Sequence, residues 1–229
     1  TAPASSALYI LASAMAVSAA GDTSAVVALS LHLAHLGPWA VVGLLVLPAA
    51  ASALLSGLAG NVSTHWGPPT VIIVAAIIQV FLYTMLAVVP PLPLIFLLVA
   101  ADAVLSLIMY SATASLVPKL SSKEMAKAYG VTQAATTIGR LVGPVMGAGL
   151  YAVSGGPQLV LVVNAVTFLL LFVTGFYLRR LVPLSKSRDG SKEVRVSSKR
   201  ARAFDHVRLL TSVGNIRISV ITLLASILF

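Results

Sequence analysis

Residues 128–152 read AYGVTQAATTIGRLVGPVMGAGLYA, an uninterrupted run whose single charge is Arg140. As a helix rising 1.5 Å per residue it would extend about 37 Å, more than the roughly 30 Å hydrocarbon thickness of a bilayer. Small residues recur through it: Gly130, Gly139, Gly143, Gly147, Ala148 and Gly149. At such spacing they flatten one helix face so that a neighbouring backbone can come close, while Pro144 removes one backbone donor and bends the axis. The stretch therefore reads as a membrane-crossing helix built to press against another helix.

Working outward, apolar blocks of similar length recur on both sides, at about 7–33, 39–62, 70–89, 93–117 and 158–178, with a shorter block opening near Ile216 and reaching Phe229. Breakers separate them: Gly37-Pro38, Gly67-Pro68-Pro69, Pro90-Pro91 with Pro93, Pro118, and Gly155-Gly156-Pro157. This punctuation predicts helical hairpins turning at membrane surfaces. The blocks do not alternate in polarity, which excludes a β-barrel, and their repetition excludes a lone export signal. Composition agrees, with 59% hydrophobic and 9% charged residues and a mean hydropathy of +1.01, against about 25% charged in soluble domains.

Lys and Arg set the expected orientation. Apart from Arg140, every basic residue lies in two connections: Lys119, Lys123 and Lys127 after the fourth block, and the series from Arg179 to Arg217 after the sixth. Basic loops face the cytoplasm, so the amino terminus is expected there too, in a plasma or inner membrane. The basic, Ser-rich stretch 181–215 reads as a linker with a short amphipathic piece near Phe204 to Leu210, drawn to anionic lipid rather than nucleic acid. The formal charge of +9 thus marks a membrane surface.

Three acidic or basic side chains fall inside the blocks, Asp22, Asp102 and Arg140. Counting helical rise from the block ends puts Asp22 about 21 Å from the inner face, Arg140 about 18 Å from it, and Asp102 about 14 Å from the outer face. An intramembrane charge costs about 2.5–3.5 kcal/mol on insertion scales and marks a functional site by default. Three readings of Asp22 follow: a proton carrier modulated by Arg140, a permanent Asp22–Arg140 ion pair that fixes packing, or charges that simply face water in a cavity. Asp102 is a candidate counterpart of Asp22 on the first helix of a second three-helix repeat. Gln79, Tyr83, Tyr110, Gln133 and Asn164 read as polar packing residues that could also bond a substrate. His32 and His35 read as interfacial.

Cysteine is absent, which excludes disulfides and thiolate chemistry. No phosphate-binding G-x-x-x-x-G-K-[ST] loop, paired catalytic groups or metal spacing occurs, so neither an enzyme nor a cofactor or metal is expected.

The string Gly130, Gly139, Gly143, Pro144 and Gly147 resembles the fifth-helix antiporter motif of proton-coupled exporters in the major facilitator superfamily, G-x8-G-x3-G-P-x2-G-G, with Ala148 in place of the final glycine. Gly21-Asp22, Leu116-Val117-Pro118, Arg140-Leu141-Val142-Gly143-Pro144 and Asn164-Ala165 are similar in order and spacing to the branch that exports macrolides and siderophores. One departure lies between the second and third blocks. The family carries a charged cytoplasmic gate there, whereas this chain has Gly60, then Thr64 and His65 at the charged positions. The family's fourth-helix arginine is also missing.

The resemblance implies an all-α membrane protein: a six-helix amino-terminal bundle (1–180) of two inverted three-helix repeats, the linker (181–215), and an incomplete seventh helix (216–229). It implies proton-antiport efflux of small amphipathic molecules, with a carboxy-terminal six-helix half as partner. The alternative is a non-transporting half or membrane scaffold fragment, motivated by the short last block and the altered 61–69 stretch; beginning at Thr1 and not at Met, the chain is expected to be a processed or partial product.

Overall fold

The computed structural model describes residues 2–121 and 124–181, all in helices and short connections. The expected linker and seventh helix lie outside the described residues. Six long helices run α1 Ala2–Leu33, α2 Pro38–Trp66, α3 Pro68–Ala87, α4 Leu92–Leu120, α5 Met125–Ser154 and α6 Gln158–Leu181, with a 3-10 turn at Ala34–Leu36.

Breakers end the helices where backbone chemistry requires. Gly37 (φ 103) and Gly67 (φ 76) supply conformations that side chains disfavour, and a proline follows each at the first turn of the next helix, where the missing N–H is not needed. Gly155, at φ 69 in the left-handed region, closes α5 by donating its N–H to Tyr151 O at 2.9 Å.

Two expectations are corrected here. The 63–69 connection is not a loop: α2 continues through Trp66, and Gly67 alone separates it from α3. Ser63 to Trp66 include no helix breaker, so the helix runs on until Gly67-Pro68 stops it. Gly60, Thr64 and His65 thus sit in the last turns of α2. Likewise Pro118 lies inside the last turn of α4 and does not end the helix, which stops at Leu120.

Five helices contain segments long and apolar enough to cross a membrane: Ser6–Leu36, Pro38–Leu55, Pro68–Ala87, Leu92–Pro118 and Gln158–Leu181. The sixth, α5, is long enough but diluted by Gly, Thr and Arg140. Large apolar side chains lie on the outside, with Leu54 83%, Val145 76% and Val153 86% exposed. Water would penalise such a surface and lipid does not.

Packing follows a reciprocal pattern. α1 packs against α5 and α6, α4 against α2 and α3, and α3 against α6. Exchanging α1–α3 with α4–α6 returns the same set of neighbours, as two three-helix repeats require. The core between them is filled by Phe168, Leu11, Leu33, Ile72, Leu86 and Leu116, all fully buried.

Candidate functional site

Glycine sets the closest approach in the bundle. A Cβ on Gly139 would run into the Ala16 carbonyl. One on Gly143 would strike Thr23 Oγ1 and the Ala20 carbonyl, and one on Gly147 would lie 2.5 Å from Ser24 O. Residues 139, 143 and 147 are each one turn apart and meet α1 at 16, 20 and 24, so the two helices run parallel in matched register. Ser24 Oγ, buried in the seam, lies 2.7 Å from Gly143 O and 2.7 Å from its own helix's Ala20 O. Its hydroxyl proton is shared between the two carbonyls. Gly130 lies off this face, with nothing within 4 Å of a Cβ there, and Pro144 is exposed on the far side.

Because α5 is held this closely, Arg140, one position beyond Gly139, comes to the edge of α1. It lines a cavity of about 180 Å³ with Asp22, Thr23, Met15, Tyr110 and Thr113 among its walls. At roughly 15 Å³ of such space per water, the cavity has room for several waters or a small organic group. No ion pair within 4 Å joins Asp22 to Arg140; among the described residues the only pair that close is Lys127–Glu124, at 3.1 Å. The packing pair expected as one reading of Asp22 is therefore not formed.

Asp22 is half-buried, and its partner comes from α6: Asn164 Nδ2 donates to Asp22 Oδ1 at 3.2 Å. Asn164 is fully buried, and Thr167 Oγ1 fixes its orientation by donating to Asn164 Oδ1 at 3.0 Å. Gly21 makes this approach possible, since a Cβ there would collide with Asn164 Oδ1 and lie 2.8 Å from Thr167 Oγ1.

Asp102 stands apart from the cavity. It is buried on α4 and held by α3: Gln79 Nε2 donates to Oδ1 and Tyr83 Oη to Oδ2, each at 2.9 Å. The Tyr83 ring stacks on Phe168 with centroids 5.4 Å apart. Asp102 lies 10 residues after the start of α4 and Asp22 lies 11 before the end of α1. With neighbouring helices reversed, both carboxyls lie about 15–17 Å from the same face of the bundle, so they share a level and are not mirrored across the midplane.

Of the polar packing residues, Asn164, Gln79 and Tyr83 turn out to hold the two carboxyls, and Tyr110 lines the cavity. His32 and His35 pair edge to face at 5.8 Å by the end of α1, far along the helix from Asp22. Side chains of Gly60, Thr64 and His65 lie outside the described residues. No group of three or more potential metal ligands occurs among the described residues.

The family model described as Major Facilitator Superfamily matches residues 11–229. The chain belongs to the Major Facilitator Superfamily. As a member it is a multi-pass membrane transporter acting on small molecules, and its six-helix bundle is the major facilitator helical fold. The match lends nothing to the alternative of a non-transporting fragment. No curated protein and no solved structure matches the chain. Within this major facilitator bundle, the glycine face of α5 is what holds Arg140 at the cavity rim opposite Asp22.

Proposed function

We propose that this transporter exports small amphipathic molecules in exchange for protons, with Asp22 carrying the proton and Arg140 modulating it. The observation that supports this most is the shared cavity: a carboxyl and a guanidinium open on one space near the middle of the bundle and are not locked to each other. Locked together, the two charges would neutralise each other permanently. Facing one cavity unpaired, Asp22 can exchange its proton with cavity water, and its ionised form gains attraction from Arg140.

The cavity walls suit an amphipathic guest. Met15, Met109 and Leu171 offer adaptable apolar contact, while Ser18, Thr113, Thr136 and Tyr110 offer hydroxyls. The α1–α5 seam keeps the two charge-bearing helices moving as one body. This reading places the amino terminus in the cytoplasm of a plasma or inner membrane and takes a carboxy-terminal six-helix half as the partner that closes the cavity. Gly60, Thr64 and His65 would then sit at the cytoplasmic end of α2, with hydroxyl and imidazole in place of a charge lock.

The test is efflux of a fluorescent lipophilic cation from proteoliposomes under an imposed pH gradient. Asp22→Asn is expected to lose gradient-driven efflux by at least about tenfold, the scale of one removed proton-linked interaction, while binding of the cation persists. Equal gradient-driven efflux by variant and wild type would remove Asp22 from the coupling role.

A further inference from the structure

One buried group in the Asp102 cluster has no partner. Gln79 is fully buried on α3, and its Oε1 makes no hydrogen bond. Its Nε2 is fully used, donating to Asp102 Oδ1 at 2.9 Å and to Ser106 Oγ at 2.9 Å. A primary amide has two N–H donors and one carbonyl acceptor, so every donor is engaged and the acceptor is idle. Leaving such an oxygen buried and unpaired is unfavourable, and the arrangement suits only one proton state of its neighbour. An ionised carboxylate is an acceptor alone, and Asp102 takes one donor on each oxygen, from Gln79 and from Tyr83.

A proton on Asp102 reverses this logic. The acid O–H is a donor, and the amide that faced it with N–H must turn its carbonyl toward it. Turned over, Gln79 Oε1 accepts from the Asp102 O–H and, through its second lone pair, from the Ser106 O–H. The idle end is then the amide nitrogen. Each orientation leaves one end of the amide unpaired, so neither is locked, and the proton on Asp102 selects between them.

Ser106 carries the result outward, because it lies one turn along α4 from Asp102 and lines the cavity. We propose that Asp102, Gln79 and Ser106 form a switch that reports the proton state of a buried carboxyl at the cavity wall. With Asp102 ionised, Ser106 accepts from Gln79 and its own O–H is free to donate to a cavity occupant. With Asp102 protonated, Ser106 donates to Gln79 and offers the cavity lone pairs only. A guest with ether, ester or carbonyl acceptors is held by Ser106 in the first state alone, whereas an ammonium donor finds a serine lone pair in both. The step is the binding and release of one solvent proton at an Asp102 oxygen, and no other covalent bond of the chain is broken.

The charged and titratable surroundings of Asp102 are few. From α3 it meets Tyr83. From α1 it meets Asp22, near enough for the two charges to interact. α5 brings Arg140 to the cavity rim, and α2 brings no titratable group over Pro38–Leu55. No cation of a described residue lies within 4 Å of Asp102, so proton uptake is its available route to neutrality.

The inference rests on the reading that the cavity holds the transported molecule, but its test does not require transport. Infrared difference spectra of the full chain in lipid, recorded across a pH ramp with side-chain-labelled glutamine, are expected to show two linked changes. A protonated-carboxyl band appears on acidification, together with a shifted glutamine amide band. Asp102→Asn abolishes the amide change and the part of the carboxyl band linked to it, leaving the contribution of Asp22. Asp22→Asn leaves the amide change and its linked band. Gln79→Met abolishes the amide change while the Asp102 band persists to higher pH, with about tenfold tighter proton binding after loss of a donor to the charged form. Ser106→Ala, a small change at the cavity wall, keeps the carboxyl band and weakens the amide shift. An amide change that survives Asp102→Asn, no carboxyl band in the Asp22→Asn variant, or an Asp102 band without an amide change would overturn the switch. If both bands behave as expected while Asp22→Asn exports like wild type, the switch stands and the coupling role of Asp22 falls.

Discussion

The α1–α5 and α3–α6 seams both rely on glycine, and they use it differently. At Gly143 the opposing atoms are the Ala20 carbonyl and the Thr23 side chain, part of a helix that cannot move without carrying Asp22 with it. At Gly175 on α6 the nearest opposing atoms are side-chain carbons of Ile73 at 3.0 Å and Ile72 at 3.2 Å, with Ile73 N at 3.5 Å, a looser approach than at Gly139, Gly143 or Gly147. A seam of backbone against backbone has one register and transmits position. A seam of side chains against a glycine has slack. The rigid seam is the one that carries Asp22 and Arg140, and the looser one carries their neighbours Asn164, Gln79 and Tyr83.

The comparison breaks first at Gly143. Gly143→Ala is expected to destabilise the bundle by about 3 kcal/mol, the upper end for forced overpacking, measured by reversible unfolding in detergent; a loss under about 1 kcal/mol would mean that the helices simply part. Next is Gly130, on the same helix and in the same sequence pattern but with open space around it. Gly130→Ala is expected to stabilise by about 0.5–1 kcal/mol through helix propensity alone, which would separate the packing members of the pattern from the rest. The smallest effect belongs to Gly175→Ala, within about 0.5 kcal/mol of wild type, because the strain on the two isoleucines offsets the propensity gain. A Gly175→Ala loss as large as that of Gly143→Ala would show that the two seams are alike after all.

Much of this was legible in the chain. Apolar blocks bounded by Gly-Pro punctuation located six helices to within a few residues, because in lipid the segment length and the breaker chemistry leave few other solutions. The end of α2 is not legible in the chain because Ser63, Thr64 and His65 are polar, and polar residues suit a membrane surface in helix as well as in loop. Asp22, Arg140 and Asp102 stood out by their charge. Their partners did not, since Asn164 reaches Asp22 across 142 positions and Gln79 reaches Asp102 across 23, and no local period encodes which helices become neighbours. The separation of Asp102 from the cavity was likewise invisible, because depth along a helix can be counted and the direction a side chain faces in the bundle cannot.

The account depends on Asp22 and Arg140 opening on one aqueous cavity while Asp102 lies behind its wall. The absence of cysteine makes this directly measurable by single substitutions labelled in reconstituted vesicles with a small, charged, water-soluble thiol reagent. Asp22→Cys and Arg140→Cys are expected to react and Asp102→Cys to stay unlabelled; reaction at 102 with protection at 22 would contradict the account.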